Sequence, residues 1–152
     1  MPSTPDTAQA ETLPFDQSVG FLVRDLNRAI QRHLQSRLQD HGVGLGAWYL
    51  LRVLWEEDGL TQSDLARRVG MTEPTAVPAL RGMEAQGWIR RVRSDTDKRK
   101  VFLFLTPAGS DLRARLLLEA HAVNTVAVAN LSEDEVQMLR ALLRRARANF
   151  PP

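Results

Sequence analysis

Residues 88 to 105 are the feature that most constrains this chain. Trp88-Ile89-Arg90-Arg91-Val92-Arg93 is followed by a turn-forming cluster, Ser94-Asp95-Thr96-Asp97, and then by Lys100-Val101-Phe102-Leu103-Phe104-Leu105. β-branched and aromatic runs without a helix breaker favour extended backbone, and clustered Ser, Asp and Thr favour a reversal between them. The pattern predicts a two-stranded hairpin with a polar tip. From Arg81 to Lys100 there are seven Lys or Arg against three Asp or Glu, whereas the whole chain holds 20 against 18, a net charge of +2. Local placement of charge, not its total, therefore bears on function.

Helical periodicity surrounds the hairpin. Asp16 stands where an N-cap would, and Leu22, Leu26, Ile30 and Leu34 then recur every four residues, with Ala29, His33 and Leu38 near the same stripe. His41-Gly42-Val43-Gly44 ends this first helix. A second, from about Leu45 to Glu57, turns Leu50, Leu51 and Leu54 inward and stops at Asp58-Gly59. Thr61-Gln62-Ser63-Asp64 has the form of a capping box with Asp in place of Glu, and it opens a short third helix with Leu65, Ala66 and Val69 inside. After Gly70 a fourth runs to about Gln86, with Val77, Leu80 and Met83 inside. Its cap is Thr72 or, because Pro74 and Pro78 intervene, Thr75; a kink at Pro78 is the other option. Two helices joined by a short Gly-containing turn make a helix-turn-helix, and a hairpin directly after it makes a winged one. Thr106-Pro107 starts a fifth helix containing Leu112, Leu116, Val123 and Val126. Ser132 and Glu135 form a capping box for a sixth, with Val136, Leu139, Leu142 and Leu143.

The expected fold is mainly α with a small β-hairpin wing. Residues 1–14, rich in Pro, Thr and Ala, read as a disordered tail, and residues 15–152 as one domain. Within it 45–106 form the winged helix-turn-helix, while 15–44 and 107–152 carry apolar surface that calls for a second copy of the chain. With 43% apolar residues in 152, a sizeable core is available. The absence of cysteine excludes disulfides and thiolate metal sites and fits a cytoplasmic protein. No membrane span or targeting segment is expected. Three histidines, His33, His41 and His121, show no metal-ligand spacing, and no phosphate loop or nucleophile motif points to an enzyme or a cofactor.

In this order of elements the sequence resembles the MarR family of dimeric winged-helix transcription regulators. The likeness rests on Gly87-Trp88-Ile89, Arg91, Asp97-Lys98-Arg99 and Leu105-Thr106-Pro107-Ala108-Gly109 in the wing, with Leu65-Ala66 and Thr75 in the helix-turn-helix. The resemblance implies that Arg99 enters a DNA minor groove and that Asp97 orients it. A guanidinium on a thin hairpin is a suitable probe of a narrow, electronegative groove, and a nearby carboxylate restricts its rotamers. Arg90, Arg91, Arg93, Lys98 and Lys100 are candidate phosphate contacts, although a strand arginine such as Arg91 serves equally in an internal ion pair. Gln62 and Ser63 are candidate phosphate donors. Thr72, Glu73, Thr75, Ala79 and Arg81 are the groove- or backbone-facing candidates, with Thr75 and Ala79 placed to touch thymine methyls. The chain departs from the family at Val77-Pro78, where relatives often have a hydroxyl residue and then a basic one.

The resemblance also implies a small anionic or phenolic effector bound between the dimer helices and the winged unit. Trp48, Arg52 and Trp55 recur at helical spacing, a cation between two aromatic faces suited to an aromatic acid, with His33 and His41 as further candidates. A core role for both tryptophans and a surface ion pair for Arg52 is the competing assignment. The expectation is a dimeric regulator of a palindromic operator, a repressor released by an aromatic or phenolic anion. The alternative is a degenerate winged-helix dimer serving as a protein-interaction scaffold.

Overall fold

The computed structural model describes residues 12–152. The expected tail over 1–14 lies largely outside the described residues, and Thr12 to Pro14 are exposed and without regular structure. A 3-10 turn, Phe15–Gln17, leads into helix α1, Val19–Gln39. Asp16 lies inside that turn; the cap is Ser18, whose Oγ accepts from the Phe21 amide at 3.2 Å. A helix leaves its first amides without partners, and a hydroxyl three residues back satisfies one of them. Helix α2, Leu45–Glu56, and strand β1, Leu60–Thr61, follow.

Helices α3, Gln62–Arg68, and α4, Glu73–Ala85, form the helix-turn-helix. Thr61 caps α3 by accepting from the Asp64 amide at 3.1 Å. The reciprocal half of a capping box is not formed, because Asp64 accepts from Arg67 at 2.7 Å instead. Thr72, not Thr75, caps α4: its Oγ accepts from the Thr75 amide at 3.3 Å and lies 2.8 Å from the Thr75 hydroxyl. Helix α4 runs unbroken through Pro78. Pro78 has no amide to give the Pro74 carbonyl, but both prolines are exposed, so water reaches that carbonyl and softens the loss.

The sheet has three antiparallel strands in the order β1-β3-β2, with β2 at Ile89–Arg93 and β3 at Val101–Leu105. Ile89 pairs with Leu105, Arg93 with Val101, and Leu60 with Leu103. The wing is thus joined by a third strand, which at two residues is too short to leave a periodic signal. Gly59 makes that strand's approach feasible: it holds φ +74°, and a Cβ there would lie 2.7 Å from the Phe104 ring.

Helix α5, Pro107–Ala127, starts directly on the wing's base. The Thr106 amide donates to the Trp88 carbonyl at 3.0 Å, and Trp55 Nε1 donates to the Gly109 carbonyl at 3.0 Å. A side chain at Gly109 would overlap the Trp88 carbonyl oxygen, so only glycine closes this junction. At the far side, the end of α1 is fastened to α5 through Glu119. Arg37 donates to one carboxylate oxygen at 2.7 Å, and His41 Nε2 meets the other at 3.1 Å. These hydrogen bonds, Arg37 first and His41 second, hold the Glu119 carboxyl below the usual carboxylate range.

One core fills the centre. Leu34 and Leu38 of α1, Leu50, Leu51 and Leu54 of α2, Leu65, Leu80, Met83, Ile89, Leu103, Leu112 and Leu116 are all buried in it. Truncating any one of these leucines to alanine costs about 2–5 kcal/mol. Leu22 and Leu26 stay exposed although they continue the α1 stripe. Helix α6, Glu133–Ala148, has the predicted capping box, with the Glu135 amide 3.2 Å from Ser132 Oγ and the Ser132 amide 2.7 Å from Glu135 Oε2. None of its residues is buried.

Candidate nucleic-acid interface

The wing tip is built by its own side chains. Ser94 Oγ accepts from the amides of Thr96 and Asp97 at 3.3 and 3.2 Å, and the Lys100 amide donates to the Asp97 carbonyl at 2.9 Å. Lys100 therefore belongs to the turn and not to the strand. The turn presents Asp97 to Arg99. One carboxylate oxygen accepts from the Arg99 amide and from Nε, each at 3.1 Å, and the other accepts from the guanidinium at 3.4 Å. The Arg99 side chain is 92% exposed. These bonds, the side-chain one first, lower the pKa of Asp97 and keep it anionic at neutral pH. The result is a solvent-facing guanidinium whose direction is restrained by one carboxylate.

A cleft of about 250 Å³ separates this tip from the helix-turn-helix, lined by Gln62, Ser63 and Glu73 on one side and by Arg99 and Lys100 on the other. Alternation along β2 sorts the remaining arginines. Arg91 faces inward, donating to Gln62 Oε1 at 2.9 Å and lying 3.8 Å from Glu84. It is a brace between wing and helix-turn-helix, the internal pairing foreseen as its other role, and it occupies Gln62 as well. Arg93 donates to the Lys98 carbonyl at 3.2 Å and steadies the tip. Arg90 lies on the opposite face, with its guanidinium 4.8 Å from the centre of the Phe104 ring.

On α4 the exposed positions are Thr72, Glu73, Pro74, Thr75, Pro78, Arg81, Gly82, Glu84 and Ala85. Ala79 is not among them. It packs 3.5 Å from the position of a Cβ on Gly46, turned toward α2 and away from any groove. The sequence held that information, since Ala76, Ala79, Leu80 and Met83 form one helical stripe.

A second hollow, of about 430 Å³, opens between α1, α2 and α5, where Trp48, Tyr49 and Arg52 face Ile30, Val123 and Asn124. Arg52 does not sit between two rings as the spacing implied. Its guanidinium is 5.5 Å from the Trp48 ring centre, while Trp55 meets Trp48 edge-on at 5.9 Å and is committed to Gly109. Trp48 is also a core residue, 4% exposed. His41 is held by Glu119, and His33 borders a smaller apolar hollow with Leu26 and Val126. Tyr49, whose hydroxyl accepts from Gln31 at 2.9 Å, and Asn124 enter this wall unforeseen. Asn124 comes from a distant helix, and no local spacing could place it there. Among the described residues no cluster of His, Asp and Glu is arranged to hold a metal ion.

An exposed second helix, a capped turn before it and a basic hairpin braced against it define a winged helix-turn-helix protein. Comparison with known proteins points to a family. The model of the MarR family matches residues 45–101, from α2 to the start of β3. HTH-type transcriptional regulator TtmR of Methylorubrum extorquens (strain PA1) is 31% identical over 127 residues, covering 84% of this chain and 65% of that protein's length. A MarR transcriptional regulator from Methanosarcina mazei Go1 superposes with a TM-score of 0.81 over 86% of this chain and 94% of its own, at 22% identity. A probable transcriptional regulator from Pseudomonas aeruginosa does so with 0.78 over 88% and 99%, at 28% identity. The winged unit thus matches the MarR family, and the relatives named here are transcriptional regulators. Among the described residues no helix is long and apolar enough to cross a membrane.

Proposed function

We propose that this chain is a dimeric, sequence-specific regulator of transcription in the cytoplasm, binding a palindromic operator as a repressor. The observation that carries this reading is the Asp97-restrained, exposed Arg99 beside the outward face of α4. Arg99 reads the minor groove, α4 enters the adjacent major groove, and Arg81, Arg90, Lys98 and Lys100 neutralise phosphates. Each such contact adds roughly 0.9 to the salt slope of log affinity.

Dimerisation is supported by apolar surface that the chain does not cover itself. Leu22 and Leu26 of α1, Val126 of α5, and Met138, Leu142 and Leu143 of α6 are all exposed. Two copies joined there bring two α4 helices to half-sites about 34–36 Å apart. The hollow at Trp48, Tyr49 and Arg52 lies between these helices and the winged unit. Its largely apolar walls, with Arg52 and Arg68 as cations, suit a small aromatic or phenolic anion, whose binding shifts the α4 spacing and releases DNA. The competing reading, a scaffold without specific DNA binding, draws on Pro78 in the middle of the outward face of α4.

The deciding experiment is selection of bound duplexes from a random DNA pool, repeated with a set of aromatic acids. A palindrome should emerge, and Arg99→Ala should weaken it roughly tenfold. Full binding by that variant removes the wing from the mechanism, and no enriched sequence favours the scaffold. An effective acid should quench tryptophan fluorescence and release DNA, and Arg52→Ala should lose both responses.

A further inference from the structure

Past its first turn, where Thr72, Glu73 and Thr75 lie, the outward face of α4 offers few groups that can form hydrogen bonds with base edges. Its central positions are Pro78 and, one turn on, Gly82, with Ala85 beyond. The Thr75 hydroxyl is already engaged with Thr72 at 2.8 Å. Glu84 leans toward Arg91 at 3.8 Å, which leaves Arg81 as the cation on this face. Gly82 has nothing within 4 Å of where a Cβ would stand, so a duplex can come close to the helix backbone beside Pro78. The pyrrolidine ring is then an exposed group at the helix centre, rigid and wholly apolar.

A major-groove edge offers one apolar feature, the thymine 5-methyl group. We infer that Pro78 is a specificity-determining residue that reads a thymine methyl in each half-site by van der Waals contact. The helix thereby selects by shape and methyl pattern at a position where bidentate hydrogen bonding is absent. This rests on the DNA-binding role of α4 proposed above. The ring cannot rotate, so it loses no side-chain entropy on docking, unlike the long polar side chains more often used for readout. The proline that breaks the helix's hydrogen-bond ladder is, on this account, kept for the surface it presents.

Replacement of each thymine of the selected operator by uracil removes only the methyl group. With the full chain, one symmetry-related pair of substitutions should weaken binding by about fourfold per half-site, the effect of burying one methyl-sized group. Pro78→Ala should lose that penalty, keep uracil penalties at other positions, and keep the salt slope. Pro78→Val, which restores a branched apolar surface, should recover part of it. An equal penalty in parent and Pro78→Ala would overturn the inference, as would no uracil penalty anywhere in an operator that the parent binds. Complete loss of binding by a well-folded Pro78→Ala would also overturn it, since one methyl contact is too small to account for that. If no sequence is enriched at all, the DNA-binding reading itself fails, an outcome distinct from these.

Discussion

Arg99 is 92% exposed yet makes three hydrogen bonds to one carboxylate, and the effect lies in direction more than in stability. An ion pair in open solvent contributes little to folding. Asp97→Asn should therefore leave Tm nearly unchanged while weakening operator binding severalfold, less than Arg99→Ala, as checked by melting and titration on one operator. Because the pKa of Asp97 is depressed in the fold, its pairing is complete above the ordinary carboxylate value and fails only as pH drops through the lowered one. Wing binding should not vary through this pair between pH 6 and 8. Glu119 follows the same sign, with a different readout. Arg37 and His41 lower its pKa, so Glu119→Gln should lower Tm at neutral pH, and the gap to the parent should close as the pH falls through that depressed value. A gap that persisted at low pH would assign the loss to packing instead.

At the level of elements, α4 shows what a local rule can and cannot foresee. Proline in a helix interior costs about 3 kcal/mol relative to alanine, less near the first turn. Pro78→Ala should thus raise stability by about 1–2 kcal/mol in a denaturant melt, the interior cost reduced by solvent access to the Pro74 carbonyl. The hairpin, all six helices and the caps at Thr61, Thr106 and Ser132 were legible because each depends on neighbours in sequence. The cap of α1 is expected at Asp16, two residues before Ser18, because the 3-10 turn that displaces it carries no periodic signal. Strand β1 was not legible: two residues have no period, and what makes them a strand is the register Leu60 to Leu103, set across more than forty positions. The Asp97–Arg99 pairing at the wing tip was legible because its bonds are local, whereas Arg91 finds Gln62 on another element, which no local pattern shows. The walls of the hollow at Arg52 were read least, because Trp48, Tyr49 and Asn124 meet only after folding.

At the scale of the molecule, the long helices carry the surface on which the proposed dimer rests. Helix α6 half-buries Val136, Leu139 and Ala141 against the described residues and fully buries none, and in the dimer proposed above a partner surface supplies the rest of its stabilisation. Leu26→Asp with Leu142→Asp should give a monomer in sedimentation, still folded in its winged unit and bound to the operator orders of magnitude more weakly, as a single half-site is. A stable dimer in that variant would place the interface elsewhere. The seam at Gly109 sets what such a dimer can transmit. With Trp88 pressed against its α-carbon and Trp55 bonded to its carbonyl, the first turn of α5 and the root of the wing behave as one solid piece. Helix α5 is 21 residues, about 30 Å, so a tilt of about 5° at its dimer end sweeps the hairpin through about 3 Å, more than the reach of a hydrogen bond allows. Glycine there is a weld on a lever: in the proposed dimer it would make the position of Arg99 a readout of the angle between two subunits.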